Sequence, residues 1–423
     1  MFRLRPPAYL YLFHAALLVL GLAIYELLLN LAILALGFER ELLGVLATLP
    51  VLSAALLSLP MWAVVTRVGL RTSLILGALL QAAAVLVVAV WPGRWPLLVG
   101  TALLGPGSVL FAVASAPLMM RYSDERDRAR LFSLNAAILV GVGGLGSLLG
   151  GWLPGLAAQL WRLAPQSAPA YQATLALAGG LMLLALLPLL ALPGGQEPRT
   201  ENPEPVGANP VFAQTPHPEP VGSDSIWHFM LNPSPFVLKA LVSPLAISCG
   251  AALLFPFLNL YFQQRFAVAD ATLGLIFAAM GIATGLATLA APWLSARLGP
   301  MGSVVLTQAL AIPCLLLLGL APLLSLAVGV AVLRAALMNM AAPLYTAYVL
   351  ERTAVVHRPL MNGLLQAAMT AGFVAGPSLS VQIQNRYGFG PLFLLTAMCY
   401  AVGACWNYWA LLRPRETAGP FKS

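Results

Sequence analysis

Long apolar blocks separated by short polar breaks run the length of this 423-residue chain. The first block, Tyr9 to Leu36, is long enough to cross a bilayer, since roughly 20 apolar residues at about 1.5 Å rise span the hydrocarbon. Gly37-Phe38-Glu39-Arg40-Glu41 ends it. A second block reaches Val65, and Thr66-Arg67-Val68-Gly69-Leu70-Arg71 reads as the next loop. Further blocks end near Trp91, Met120, Leu153 and Leu192, and six more cover 238–263, 271–295, 302–323, 325–349, 360–383 and 390–412. Breaks such as Trp91-Pro92-Gly93-Arg94-Trp95-Pro96 combine turn formers with interfacial tryptophans. The pattern predicts an all-α polytopic membrane protein of twelve transmembrane helices, in two six-helix bundles.

Between the bundles the pattern collapses. Pro193 to Pro235 is rich in Pro, Glu, Asn and Gly and repeats Pro-Glu-Pro-Val-Gly at 203–207 and 218–222. Such a stretch cannot bury enough apolar surface to fold alone. It divides the chain into residues 1–193, a flexible cytoplasmic linker at 194–236, and residues 237–423. Ile226-Trp227-His228-Phe229-Met230-Leu231 reads as an interfacial turn inside it.

Composition agrees: 60% hydrophobic, 9% charged and a mean hydropathy of +0.88, against roughly 25% charged residues in soluble domains. The net charge of +8 does not indicate a nucleic-acid partner, because the arginines sit in short loops between apolar blocks. With both termini inside, fourteen Lys and Arg fall in the cytoplasmic loops and tails. Five fall opposite: Arg40, Arg94, Arg162, Arg265 and Arg386. The positive-inside rule then expects N-in and C-in topology in a cytoplasmic (inner) membrane. Cys249, Cys314, Cys399 and Cys405 all lie in apolar blocks without Cys-x-x-Cys spacing, so neither a disulfide framework nor a metal site is indicated. No cofactor motif, phosphate-cradling Gly-x-x-x-x-Gly-Lys or nucleophile–base set stands out, so the chain does not read as an enzyme.

The halves repeat each other. Thr66-Arg67-Val68-Gly69 returns as Ala296-Arg297-Leu298-Gly299, offset by 230, and Gln81 as Gln308, offset by 227. Ala116-Pro117-Leu118 and Glu125-Arg126 return 226 residues on, as Ala342-Pro343-Leu344 and Glu351-Arg352. Leu29-Asn30-Leu31 is answered by Leu258-Asn259-Leu260. A narrow band of offsets across loops and spans implies a duplicated unit.

On these features the chain resembles the major facilitator superfamily of secondary transporters. That family's loop motif, Gly-x-x-x-Asp-Arg-x-Gly-Arg-Arg/Lys, is matched at Arg67, Gly69 and Arg71, with Trp62 and Thr66 replacing the glycine and aspartate. The second copy keeps Arg297 and Gly299. Without the aspartate, these arginines are expected to anchor helix ends. Gly146-Ser147-Leu148-Leu149-Gly150-Gly151 echoes the family's antiporter motif without its proline, and Gly372 to Pro377 echoes it again. Small residues at this spacing serve close helix packing.

The candidate chemistry is one acid and one base deep in apolar blocks. Glu26 is mid-block in the first span and Arg334 is well inside the tenth. An ionisable group at that depth is costly and marks a functional site by default. The resemblance implies that the first, fourth, seventh and tenth helices line a central cavity. Helical spacing puts Asn30 on Glu26's face, Met338 and Tyr345 on that of Arg334, and Phe255, Asn259 and Gln263 on one face of the seventh helix. Asn135, Asn362 and Gln366 are weaker candidates, and His14 and His357 are expected at the interface. Kept apart from Arg334, Glu26 can take up and release a proton. Paired with it, the two form a gate or a bipolar clamp. The sequence leaves both open. An acid in the first helix resembles proton-coupled multidrug exporters, although the arginine those carry in the fourth helix is absent. The expected function is secondary active transport of a small amphiphilic molecule, proton-coupled and outward, by a monomer in the lipid bilayer. A nutrient symporter or uniporter for a sugar or organic acid, and a non-transporting receptor on the same scaffold, are the alternatives.

Overall fold

A computed structural model describes residues 5–192, 234–354 and 357–413. Of the expected linker, residues 194–233 with the 226–231 turn lie outside the described residues, as do the terminal tails; its last two residues, Pro235 and Phe236, begin the next helix. Among the described residues, eleven helices are long and apolar enough to cross a membrane. One of these, Asp270–Leu320, has 51 residues. A straight helix of that length would measure about 77 Å, more than twice a ~30 Å hydrocarbon core. Gly299, with φ 73° and ψ 162° inside the run, breaks it into two spans. Among the described residues there are therefore twelve: α1 (Pro6–Ala35), α2 (Arg40–Val68), α3 (Leu70–Val90), α4 (Arg94–Arg121), α5 (Glu125–Leu160) and α6 (Ala168–Leu190), then α7 (Pro235–Phe266), α8 (270–298), α9 (300–320), α10 (Leu324–Glu351), α11 (Leu360–Tyr387) and α12 (Gly390–Leu412).

The turn at Gly299 has a twin. Gly69 joins α2 to α3 with φ 84° and ψ 169°, a backbone region open to glycine without steric cost. Ser73 Oγ donates to the Gly69 carbonyl at 2.7 Å, and Ser303 Oγ to the Gly299 carbonyl at 2.8 Å. The six-residue loop expected at 66–71 is thus a single glycine, because that one conformation reverses the chain and the serine closes the first turn of the next helix.

The duplication also governs packing. Gly146 and Gly150 lay α5 on α1; a Cβ at Gly146 would sit 2.8 Å from the Leu20 carbonyl. Their equivalents 226 residues on, Gly372 and Gly376, lay α11 on α7 against Ser248 and Ala252. Between the halves, a Cβ at Gly44 on α2 would lie 2.8 Å from the Cα of Ser378 on α11. At Gly274 on α8 it would lie 2.6 Å from the Ser147 carbonyl on α5. The glycine motifs are accounted for by close backbone approach.

Arg71 behaves as an anchor. Its Nε and Nη2 donate to the Leu189 and Leu190 carbonyls at 2.9 Å each, in the last turn of α6, where the helix leaves carbonyls over; Leu189 also accepts from the Leu192 N–H at 3.2 Å. Arg5 pairs with Asp124 at 2.7 Å on the surface. His14 is fully buried within the first half, two turns into α1, which begins at Pro6. Its Nδ1 donates to the Ala185 carbonyl at 2.8 Å, and its ring lies beside Tyr11 and Phe111.

Candidate functional site

Two spans lose regular helix partway along. Pro256 has no N–H to continue α7, which passes through a tight turn at Phe255–Phe257 before resuming. α11 does the same at Gly372–Val374. Irregular backbone at membrane depth is tolerated where it lines a cavity, and both breaks do so: Phe255, Pro256 and Phe373 are walls of a space between the halves.

That space has a volume of about 560 Å³ and is contributed by α1, α2, α3, α4, α5, α7, α8 and α11. Glu26 and Asn30 line it from the first half, Phe255 and Asn259 from the second. Glu26 is exposed to it, and among the described residues nothing forms an ion pair or hydrogen bond with its carboxylate. Tyr25 and Gln81 share the same walls, and the Tyr25 hydroxyl and Gln81 Nε2 are buried without partners. Unsatisfied groups of this kind cost about 1–3 kcal/mol each.

Arg334 does not meet Glu26. It lies in a second cavity of about 200 Å³ within the C-terminal half, lined also by Met338, Tyr345, Gln308 and Tyr400. Phe373 borders both cavities. The guanidinium carbon sits 3.5 Å from the Phe255 ring centroid, and Nη2 donates to the Tyr400 hydroxyl. Arg334 Nε is buried without a partner. A desolvated cation–π contact contributes about 2 kcal/mol, whereas an uncompensated buried charge costs about 3–5 kcal/mol. Phe255 therefore offsets only part of the cost of burying this cation. The single vestibule expected for both charges is two neighbouring chambers with Phe255 and Phe373 between them.

Other expected residues divide. Tyr345 lines the smaller cavity, but its hydroxyl is taken up by the Ala240 carbonyl at 2.6 Å. Gln263 lies in neither cavity and stands beside Tyr171. Asn362 and Gln366 are exposed on α11. Of the loop-motif arginines, Arg67 is exposed and Arg297 stacks on Trp293 at 4.1 Å.

One end of the cavity is tied shut across the halves. Asn30 bonds Asn259 there. On α8, the buried Asp270 carboxylate accepts from the Tyr171 hydroxyl at 3.0 and 3.2 Å and from Gln166 Nε2 at 3.2 Å. Asn385 on α11 donates to Glu41 on α2. Sequence reasoning missed Tyr400, Phe373 and the Asp270 cluster. Tyr400, a polar tip in the apolar twelfth span, was the one readable signal. The partners of Asp270 lie about a hundred residues away in the chain.

A family model described as Major Facilitator Superfamily matches residues 11–333 and 241–423. Comparison with curated proteins finds no match. Among solved structures, a bacterial homologue of the human lysosomal transporter Spinster, inward-facing and occupied, superposes with a TM-score of 0.73 at 14% identity, over 95% of each chain. The nucleoside transporter NupG gives 0.71 at 13% identity, over 95% of this chain and 98% of its own. A bacterial homologue of the iron transporter ferroportin, inward-facing, gives 0.71 at 14%, over 95% and 97%. At such identities the likeness is one of fold.

Proposed function

The chain belongs to the major facilitator superfamily, and from that premise we propose that it exports small amphiphilic molecules in exchange for protons, by alternating access between its two six-helix halves. It is a multi-pass membrane transporter and not an enzyme. The observation that carries the finer reading is Glu26, an unpaired carboxylate exposed to the cavity between the halves. A carboxylate without a counter-charge at membrane depth exchanges its proton with whichever side the cavity faces. Coupling requires only that the proton bind the two conformations with different affinity.

Apolar side chains such as Leu22, Leu46, Leu104 and Phe277 make most of the cavity wall, with Asn30, Gln81, Ser108 and Asn259 as sparse polar handles. This composition suits an amphiphile better than a sugar. The arginine count supports a topology in an inner membrane with both termini and the Gly69 and Gly299 turns on the cytoplasmic side. The tied end then faces outward and the conformation is inward-facing, with the monomer as the working unit.

The test is transport in proteoliposomes. With an imposed pH gradient the wild-type chain drives net movement of an amphiphilic dye, and Glu26→Gln abolishes net movement while leaving dye-for-dye counterflow. Net uptake by Glu26→Gln with an unchanged pH dependence excludes Glu26 as the proton carrier.

A further inference from the structure

We propose that the cavity around Arg334 is a head-group subsite for a carboxylate-bearing amphiphile, whose apolar tail passes Phe373 toward the Glu26 cavity. The inference rests on the transporter reading and names the class of substrate that the second chamber selects.

The guanidinium is already oriented. Phe255 lies against one face at 3.5 Å and the Tyr400 hydroxyl holds Nη2. Arg334 itself is 7% exposed, and no acidic side chain pairs with it among the described residues. Its Nε–H, buried and without an acceptor, belongs to the planar fork that a carboxylate engages with two parallel hydrogen bonds. Ile247, Ala251, Met338 and Met369 complete the chamber with apolar surface, suited to the first carbons of a tail. Phe373 borders both chambers, so a tail that extends from the smaller one to the larger has to displace that ring. The unpaired Glu26 carboxylate in the larger chamber repels an anionic head and favours Arg334 as its seat.

The duplicated fold shows that packing does not demand this cation. The equivalent of Arg334, 226 residues earlier, is Ser108, whose hydroxyl bonds its own helix at the Gly105 carbonyl at 2.7 Å. Across α6 and α12 the offset is 222, and the equivalent of Tyr400 is the buried Ala178. One half fills the position with a serine and an alanine. The other installs a cation and a phenol around a void.

The experiment uses the full chain in nanodiscs, with hexanoate, hexylammonium and hexanol as probes of equal tail length. Radiolabelled hexanoate is expected to bind saturably and to raise the melting temperature, as any ligand of the folded state does. The amine and the alcohol are expected to leave it unchanged. Arg334→Gln should weaken hexanoate binding by about tenfold or more. Arg334→Lys, which keeps the charge and loses the fork, should give an intermediate loss and also serves if the glutamine variant does not fold. Equal shifts for all three probes, absence of saturable hexanoate binding, or undiminished binding in a folded Arg334→Gln would overturn the proposal. Counterflow separates the two readings. Arg334-dependent hexanoate binding without exchange sinks transport and leaves the subsite standing. Exchange of a neutral dye without hexanoate binding does the reverse.

Discussion

Asn30 and Asn259 exchange hydrogen bonds across the boundary between the halves. Asn30 Nδ2 donates to Asn259 Oδ1 at 3.0 Å and to the Pro256 carbonyl at 2.6 Å. Asn259 Nδ2 donates to the Leu27 carbonyl at 2.8 Å. Each amide reaches the carbonyl three residues before the other, so the pair obeys the same two-fold relation as the duplicated sequence. It closes one end of the Glu26 cavity, and opening that end must break it. Such bonds within membrane bundles average about 0.6 kcal/mol and reach about 1.7 kcal/mol. Replacing both residues by alanine should open the tied end, seen as a longer distance between spin labels placed at positions 39 and 387. Each single variant, which strands one amide, should lose more stability than half the double variant. Additive losses with an unchanged distance would show that the pair does not govern closure.

Gly274 meets α5 through backbone alone. Gly274→Val overpacks that contact, and overpacking costs about 1–3 kcal/mol. The cost falls only on conformations in which α5 and α8 touch, so the population should shift by about five- to 150-fold toward opening at the tied end. The same label pair reports the shift. Gly44→Val against Ser378 should act in the same direction.

At Asp270, hydrogen bonds to a charged acceptor are worth about 1.5–3 kcal/mol. Asp270→Ala removes the acceptor for both Tyr171 and Gln166 and should lower the melting temperature more than Tyr171→Phe, which removes one donor. Asp270→Asn keeps one carbonyl oxygen and should fall between them. Equal melting temperatures for all three would show that the cluster contributes nothing to closure.

Arg71 tests the anchoring of helix ends. Arg71→Ala leaves the Leu189 carbonyl with only the Leu192 N–H and the Leu190 carbonyl to solvent, and should destabilise the first half by about 1 kcal/mol, with Arg71→Lys recovering part of it. Arg67→Ala, at an exposed position, should leave the melting temperature within a degree of wild type. A large effect at Arg67 and none at Arg71 would reverse the assignment.

The spans were legible because a bilayer demands about 20 apolar residues from each helix, and the duplication because equivalent loops kept Arg and Gly at constant offsets. The cost of burying charge singled out Glu26 and Arg334 for the same reason. Their separation was not legible. Which side of Phe255 the guanidinium takes depends on the rotation of α10 against α7 and α12, and no local pattern encodes it. Tyr400, Phe373 and Tyr171 become site residues only through contacts between distant spans.

The turns at Gly69 and Gly299 are one residue long, and each is fastened by a serine hydroxyl. They contain no slack. Movement carried along α2 or α8 from Gly44 or Gly274 therefore passes to α3 or α9 across one residue. Lengthening either turn by two or three flexible glycines would leave every cavity residue in place while uncoupling α2 from α3, or α8 from α9.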